Sequence, residues 1–200
     1  MRHRRHGRVL GRAPSHRRAL LRNLASALFL TEREDSDLDP NKPKVKGRII
    51  TTLAKAKEIR PMVEKCVTIA KRTRVAEQAS LEFGTTAARN SSDWKSWREG
   101  PQYAKWVAAR APVVNSRRKL FQMLRHKEAV EVLVAQIADR FADRPGGYTR
   151  ILKLAKPRLG DAGPRAILEF TGKNDRVHKR SEKPDFGSEA QPDTQSSAAE

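Results

Sequence analysis

The chain has 200 residues, 42 of them lysine or arginine and 23 aspartate or glutamate, so its formal net charge is +19. This length suits one domain with extensions or two small domains. The charge opposes compaction unless an anionic partner neutralises it, which favours nucleic acid and leaves an anionic membrane surface as the alternative. The sequence contains no run of about 18 apolar residues, so no transmembrane helix is predicted. The single cysteine excludes an internal disulfide, as expected in the reducing cytoplasm.

The first 31 residues are the most basic stretch, with eight arginines, three histidines, no lysine and no carboxylate. The arginine guanidinium is planar and forked, so it binds phosphate bidentately and stacks on bases. This composition therefore indicates contact with folded nucleic acid. Gly7, Gly11 and Pro14 disfavour a helix over residues 1–14. We expect residues 1–14 to be a disordered arm that folds onto its target.

After the arm, Ser15 is expected to cap a helix that ends near Leu30. Its apolar stripe is Leu20, Leu24, Ala27 and Leu28. The arginines of this helix face either RNA or solvent, and continuity with the arm favours RNA. Residues 32–45 are acidic and then proline-rich, which predicts a loop. Their carboxylates lack the glycine and terminal glutamate of a calcium-binding loop, so no metal site is predicted there.

Residues 46–52 are rich in β-branched side chains and predict a short strand. A long helix should follow, from Leu53 to about Arg72, with the buried stripe Leu53, Ala56, Ile59, Val63, Cys66, Val67 and Ala70. Pro61 predicts a kink or a new helix start. Cys66 lies on the apolar stripe and is interpreted as a core residue, not a nucleophile.

Residues 73–112 hold all three tryptophans, Trp94, Trp97 and Trp106. The first two would share one face of a helix. These rings either pack the insert against the body, which we favour, or stack on bases or a neighbouring protein.

Helical periodicity returns near Val113. Asn115 or Ser116 is expected to cap a helix that buries Leu120, Met123 and Leu124. After a junction at His126 and Lys127, a second helix carries Val130, Leu133, Val134, Ile137 and Phe141 on one face. This helix should end at Pro145-Gly146-Gly147.

Two strands are predicted near the C-terminus, Tyr148–Ala155 and Arg165–Thr171. The second alternates Ala166, Leu168 and Phe170 with polar-facing positions, and the two should pair antiparallel. The loop between them could carry Lys156 and Arg158 to a phosphate. Residues 173–200 have almost no apolar side chains and predict a disordered tail.

No constellation in the sequence predicts catalysis, a cofactor, a metal or a small-molecule substrate. His3 and His6 have metal-ligand spacing, but the flanking arginines would repel a cation. Gly146-Gly147-Tyr148 lacks the lysine of a phosphate loop and precedes a strand rather than a helix. The chain is therefore predicted not to be an enzyme.

Several stretches, taken together, form a specific pattern: Met1-Arg2-His3-Arg4, Gly7-Arg8, Ser15-His16-Arg17, Arg22-Asn23, Thr51-Thr52-Leu53-Ala54-Lys55-Ala56-Lys57-Glu58 with Arg60, Arg144-Pro145-Gly146-Gly147-Tyr148-Thr149-Arg150-Ile151, and Gly160-Asp161 followed by Pro164, Ala166 and Glu169. This pattern resembles the bacterial large-subunit ribosomal protein seventeen family. The resemblance covers about residues 1–31, 46–72 and 113–172.

The resemblance implies an α+β fold, a two-layer α/β domain in which about four helices pack on a small three-stranded mixed sheet. The sheet would combine the strand before the long helix with the C-terminal pair. The implied role is to bind 23S-type large-subunit ribosomal RNA near the peptide exit region, next to ribosomal protein thirty-two. Residues 32–45 and 73–112 are then inserts in a domain spanning 15–172, and 173–200 is an extension.

Charge and resemblance together predict a structural constituent of the large ribosomal subunit, in the cytoplasm and without membrane contact. The alternative is a free nucleic-acid-binding regulator or nucleoid protein. The RNA-binding residues are predicted to be the basic side chains of the arm, the first and long helices and the C-terminal strand region: Arg2, His3, Arg4, Arg5, Arg8, Arg12, His16, Arg17, Arg18, Arg22, Lys55, Lys57, Arg60, Arg150 and Arg158.

Overall fold

A computed structural model gives the fold and describes residues 7–33, 43 and 45–172. Over these residues the chain forms five helices and three strands: α1 (Pro14–Leu30), β1 (Arg48–Thr52), α2 (Leu53–Leu81), α3 (Ser92–Glu99), α4 (Pro101–Leu124), α5, β2 (Thr149–Lys153) and β3 (Arg165–Phe170). Helix α5 begins as Lys127–Val132, continues as a π-helical segment over Leu133–Ile137 and ends in the α-helical turn Ala138–Arg140. The predictions for residues 1–6, 34–42, 44 and 173–200 lie outside the described residues.

Helix α1 starts one residue before the predicted cap. Pro14 occupies its first turn and no side chain caps it, so the cap predicted at Ser15 is wrong. Proline suits this position because its fixed φ is already helical and its missing N–H would be unpaired anyway. The predicted end at Leu30 is confirmed. Phe29 is fully buried while Ala27 is exposed, because burial of the large ring rotates the apolar face away from the predicted stripe.

Helix α2 starts directly after β1, as predicted. Six of the seven members of its predicted stripe, from Ala56 to Ala70, are fully buried, and the seventh, Leu53, is half-buried. The helix also runs unbroken through Pro61 and ends at Leu81, not near Arg72. Two polar residues of the added turns, Thr73 and Ser80, are buried and donate to main-chain carbonyls of α2.

Helix α4 is longer than its sequence predicts. The cap expected at Asn115 or Ser116 is wrong, because α4 begins at Pro101 and continues through Pro112. It packs against α2, and most helix stability in proteins comes from such packing rather than from local propensity. The predicted junction is confirmed: Arg125 ends α4 in the left-handed region, and His126 Nδ1 accepts a hydrogen bond from the Ala129 amide.

The predicted apolar face of α5 is confirmed, with Val130, Leu133, Val134 and Ile137 buried, and Phe141, directly after the helix, is buried as well. The helix ends at Arg140, before the predicted stop at the Pro-Gly-Gly sequence.

The strand order in the sheet is β1-β3-β2, and the central strand β3 pairs antiparallel with both β1 and β2. The predicted antiparallel pairing of β2 with β3 is confirmed, but the predicted mixed sheet is wrong. The reason lies in where the chain re-enters the sheet. The Pro164 carbonyl accepts from the Leu53 amide, and Arg165 is paired with Thr52. Strand β3 therefore begins beside the end of β1 and must run back along it.

The core lies between the helices and one face of the sheet. The alternation predicted for β3 is confirmed, because Ala166, Leu168 and Phe170 are buried. The Phe170 ring lies 6.0 Å from the rings of both Phe29 and Phe141, which joins α1, α5 and β3. On the opposite sheet face Ile50 is 54% exposed. Two layers therefore account for the described body.

Glu64 of α2 fixes where β2 begins. Its carboxylate accepts from the main-chain amides of Tyr148 and Thr149, at 3.0 and 2.9 Å, and from the Thr149 hydroxyl at 2.6 Å. Charge-assisted bonds of this kind are stronger than neutral ones. The long helix thus positions the strand that follows the Pro-Gly-Gly turn.

The aromatic residues of the insert form a cluster of their own. The Trp97 ring stands edge-on to Tyr103 and Trp106, at 5.2 and 5.6 Å. The Trp97 indole N–H donates to the Phe83 carbonyl at 3.1 Å. The rings therefore hold α3 to α4 and to the segment that follows α2.

Candidate nucleic-acid interface

The described end of the arm, residues 7–13, is a turn that leads into α1. Leu10 and Gly11 have positive φ, and the Arg12 amide donates to the Val9 carbonyl at 3.3 Å. The Arg12 guanidinium folds back and donates to the Leu10 carbonyl at 2.8 Å. Arg12, a predicted RNA-binding residue, therefore holds the shape of this turn.

The arm lies against the first turns of α2. Gly7 has a φ of +90°, and a Cβ built there would stand 3.0 Å from the Glu58 carboxylate. Lys55 precedes Glu58 by three residues and so shares its helix face. Lys57 and Arg60 are exposed on the same two turns. Residue 7 of the arm therefore lies beside the turns of α2 that carry Lys55, Lys57 and Arg60.

Several basic residues on α1 and the arm have no internal counter-charge among the described residues. Arg8, His16 and Arg18 are exposed, and Arg17 and Arg22 are partly exposed. Among the described residues, no carboxylate forms an ion pair with any of these four arginines. Such a group attracts a polyanion, because it gains charge neutralisation that the fold does not supply.

The loop between β2 and β3 reaches the same end of α2. The Arg158 amide donates to Gly163 at 3.0 Å, and the adjacent Pro164 carbonyl receives the Leu53 amide at 2.9 Å. The loop is therefore anchored at the first residue of α2, two positions before Lys55.

Three predicted residues already have acidic partners. Arg150 donates to Glu169 across the strand pair. Arg158 donates through Nε and Nη2 to Asp161, the Nε bond being 2.8 Å. The Arg158 guanidinium holds the pKa of the Asp161 carboxyl well below its usual range. Arg60 also has a partner, since it lies 3.9 Å from Glu64. These arginines keep further N–H donors, but part of their charge is already neutralised.

Arg48, a basic residue of the sheet, is not among the RNA-binding residues predicted from the sequence. Arg48 is paired in register with Glu169, which is paired in turn with Arg150. Glu169 therefore has an arginine at the paired position of each neighbouring strand, on the sheet face away from the helices. The outward position of Glu169 follows from the alternation of β3. The pairing of Arg48 with Glu169 does not follow from the sequence, because it depends on the strand order of the sheet.

The described residues contain no group of His, Cys, Asp and Glu side chains that could hold a metal ion. Cys66 is fully buried, and burial raises the pKa of its thiol to about 12. At neutral pH the side chain is therefore a protonated core residue, and the interpretation from sequence is confirmed. Among the described helices, none is both long and apolar enough to span a membrane.

Comparison with known proteins matches residues 20–171 to the family described as Ribosomal protein L17. A relative from Rhodopirellula baltica is 60% identical over 190 residues, which cover 95% of this chain and 90% of the relative. Relatives from Shouchella clausii and Nitratidesulfovibrio vulgaris are 38% and 34% identical, over 80% and 86% of this chain and 95% and 88% of their own lengths. All three are named large ribosomal subunit protein bL17.

Proposed function

The chain belongs to the ribosomal protein L17 family, and from that premise we propose that the arm, α1 and the first turns of α2 form its ribosomal RNA contact. The protein is a structural constituent of the large ribosomal subunit and not an enzyme, and it resides with the ribosome in the cytoplasm. Its role is to neutralise phosphates and to hold the RNA fold, without turnover.

One observation supports this contact most directly: the arginines of α1 and the arm lack carboxylate partners among the described residues, whereas Arg150 and Arg158 have them. An unneutralised arginine cluster releases counterions when it binds phosphates. Recognition would rest on RNA shape, phosphates and unpaired bases, because the major groove of an RNA helix is too deep and narrow for side chains. Arg8, Arg17, Arg18 and Arg22 are proposed as the main phosphate contacts.

Around this contact, Lys55, Lys57 and His16 are proposed to bind neighbouring phosphates. Arg2, His3, Arg4 and Arg5 are proposed to extend the contact along the arm. Arg60, Arg150 and Arg158 are proposed as weaker contacts, because each guanidinium already has an acidic partner.

The finer placement is also a proposal. We expect the chain to lie near the peptide exit region and to contact ribosomal protein thirty-two, as the family resemblance implies. Chemical cross-linking of intact large subunits tests this neighbour. A cross-link map without that protein, but with another at high yield, would contradict the placement.

The RNA contact is tested by replacing Arg8, Arg18 and Arg22 together with alanine. The binding constant for large-subunit ribosomal RNA should be measured at several salt concentrations, and its logarithm plotted against the logarithm of the salt concentration. The slope should become less steep by roughly 0.7 to 0.9 for each lost phosphate contact. The matched control replaces the exposed Lys95, Lys105 and Lys119, which removes the same charge elsewhere. Equal slopes for the two triple variants would contradict the proposal.

The remaining alternative, a free nucleic-acid-binding regulator, is separated by sedimentation of cell lysate. A structural constituent should remain in large subunits at one copy each after a high-salt wash. A pool released into the soluble fraction at moderate salt would favour the regulator.

A further inference from the structure

The insert forms an open pocket with aromatic walls and a volume of about 500 Å³. Trp94, Trp97, Tyr103 and Trp106 line it. Tyr103 stacks on Trp106 with ring centroids 6.0 Å apart, and Trp97 stands edge-on to both. The Trp97 N–H bond to Phe83 fixes this arrangement further. The wall is therefore preformed, which lowers the entropy cost of binding a planar ligand.

The same pocket is positively charged. Among its lining residues are Arg89, Arg98 and Arg110, and none of the described residues that line it is acidic. Arg110 is held by Glu77 at 3.2 Å, behind the pocket on α2. Arg89 is exposed and forms no ion pair with a described residue. The ligand that complements this lining is aromatic or planar, and it carries negative charge.

Trp94 is the ring best placed to receive such a ligand. It is partly exposed, and its indole N–H has no hydrogen-bond partner among the described residues. The Arg98 guanidinium lies 4.9 Å from the Trp94 ring centroid and 5.6 Å from that of Tyr103. Cation–π attraction keeps the Arg98 guanidinium at the pocket, where its N–H groups can bind an anion.

We propose that this pocket binds an unpaired nucleotide of RNA, with the base against the tryptophan rings and the phosphate at Arg89 and Arg98. The inference rests on the proposed RNA-binding function and assigns a second contact, separate from the arm. Base–aromatic stacking and arginine contacts are the usual means of holding single-stranded RNA. A duplex would not fit, because its base faces are already stacked on each other.

A protein ligand is the competing class. Aromatic grooves also bind proline-rich peptides, and these need no positive charge. Arg89 and Arg98, in a lining without a carboxylate, favour an anion. The RNA ligand therefore explains both the rings and the charge, whereas a proline-rich ligand explains the rings alone.

The test uses the full chain and its own fluorescence. All three tryptophans lie in the insert, so their emission reports on the pocket and not on RNA bound by the arm alone. Titration with a short oligonucleotide of unpaired adenosines should quench the emission to saturation. A blunt RNA duplex with the same number of phosphates should quench it far less.

Two variants assign the response to the pocket. Arg89→Ala with Arg98→Ala should weaken the oligonucleotide affinity measured by quenching about tenfold, which corresponds to roughly 1.4 kcal/mol. Trp94→Leu should weaken it by a similar factor, read from the two remaining tryptophans. The matched control, Lys95→Ala with Lys105→Ala, removes the same charge from exposed positions outside the pocket lining and should leave the affinity unchanged. Far-UV circular dichroism checks helix content, and Arg89→Ala alone, at an exposed loop position, provides a variant that does not touch a helix.

The outcomes are distinct. If single-stranded RNA leaves the emission unchanged while the chain still binds ribosomal RNA with a steep salt dependence, the pocket assignment is wrong and the proposed function stands. If neither signal appears, both are wrong. A fluorescence response to large-subunit proteins but not to RNA would reassign the pocket to a protein partner. An equal loss of oligonucleotide affinity in the lysine control would show that the response depends on overall charge and not on the pocket.

Discussion

Glu32 lies where α1, β1, β3 and α5 meet. Its side chain is 7% exposed, and its carboxylate accepts hydrogen bonds from both terminal nitrogens of Arg140, one at 2.7 Å. Beside it, the Thr31 hydroxyl accepts from the Gly47 amide at 3.0 Å, and the Gly47 carbonyl accepts from Phe170 at 2.9 Å. A few side chains and one glycine therefore join four elements that are distant in sequence.

Gly47 is the residue on which this junction depends. Its φ is +74°, and a Cβ there would lie 2.6 Å from the Glu32 carboxylate. Gly47→Ala should lower the free energy of unfolding by about 2–3 kcal/mol, because the left-handed backbone is strained and the Glu32–Arg140 pair must move. Urea unfolding measures this. Gly146→Ala is the control, because nothing lies within 4 Å of its Cβ position; equal losses in both variants would contradict the role of Gly47.

At the scale of elements, one carboxylate of α2 forms ion pairs with two arginines of α4. Glu77 of α2 lies 3.5 Å from Arg74, 3.2 Å from Arg110 and 3.4 Å from Arg117, and its side chain is 15% exposed. Low exposure and several partners make such a carboxylate more important than an ordinary surface ion pair. This contact lies where α2 continues past its predicted end and where α4 precedes its predicted start.

Glu77→Gln should therefore destabilise the pair of helices. We expect a loss of about 1–2 kcal/mol, because Arg110 and Arg117 would face each other without a counter-charge. Hydrogen exchange should accelerate first in residues 73–81 and 101–112. Glu131→Gln makes the same chemical change at an exposed residue of α5 without an ion pair among the described residues, and it should leave the exchange rates as they are. Unchanged exchange in the Glu77 variant would show that apolar packing alone holds the two helices.

For the molecule as a whole, the insert is not separable at the boundaries that its composition predicts. Residues 73–81 are the last turns of α2, and residues 101–112 are the first half of α4. Val113 and Leu120 of the same helix are buried. The part that projects from the packed helices is 82–100, which contains α3. A deletion designed from sequence would cut through two packed helices, whereas one designed from the fold would not.

Replacing residues 82–100 with a short flexible linker should leave a folded chain that still enters large subunits through the proposed arm contact, although it removes the proposed nucleotide pocket. Deleting 73–112 should impair both folding and incorporation, because it uncovers the core face of α2. The amount of each variant that co-sediments with large subunits measures the difference, with the intact chain as reference. Equal incorporation of the two deletions would show that the extended α2–α4 pair contributes nothing to the body.

Local patterns in the sequence determine much of the fold. The buried stripe of α2, the apolar face of α5 and the alternation of β3 follow from side-chain periodicity, and each is confirmed. The basic arm and the stretches that resemble the family are also evident from the residues themselves, and the comparison with known proteins confirms that family. These features depend on near neighbours in the chain, so they need no knowledge of tertiary contacts.

The tertiary structure alone decided the rest. Helix α4 extends through Pro112 because packing on α2 supplies stability that local propensity lacks. The sheet is antiparallel because β3 starts beside the end of β1. At the proposed RNA contact, sequence lists the arginines but not their partners. Arg150 pairs with Glu169 on the neighbouring strand, whereas Arg18 and Arg22 have no carboxylate partner among the described residues, and that difference depends on how the folded chain places its charges.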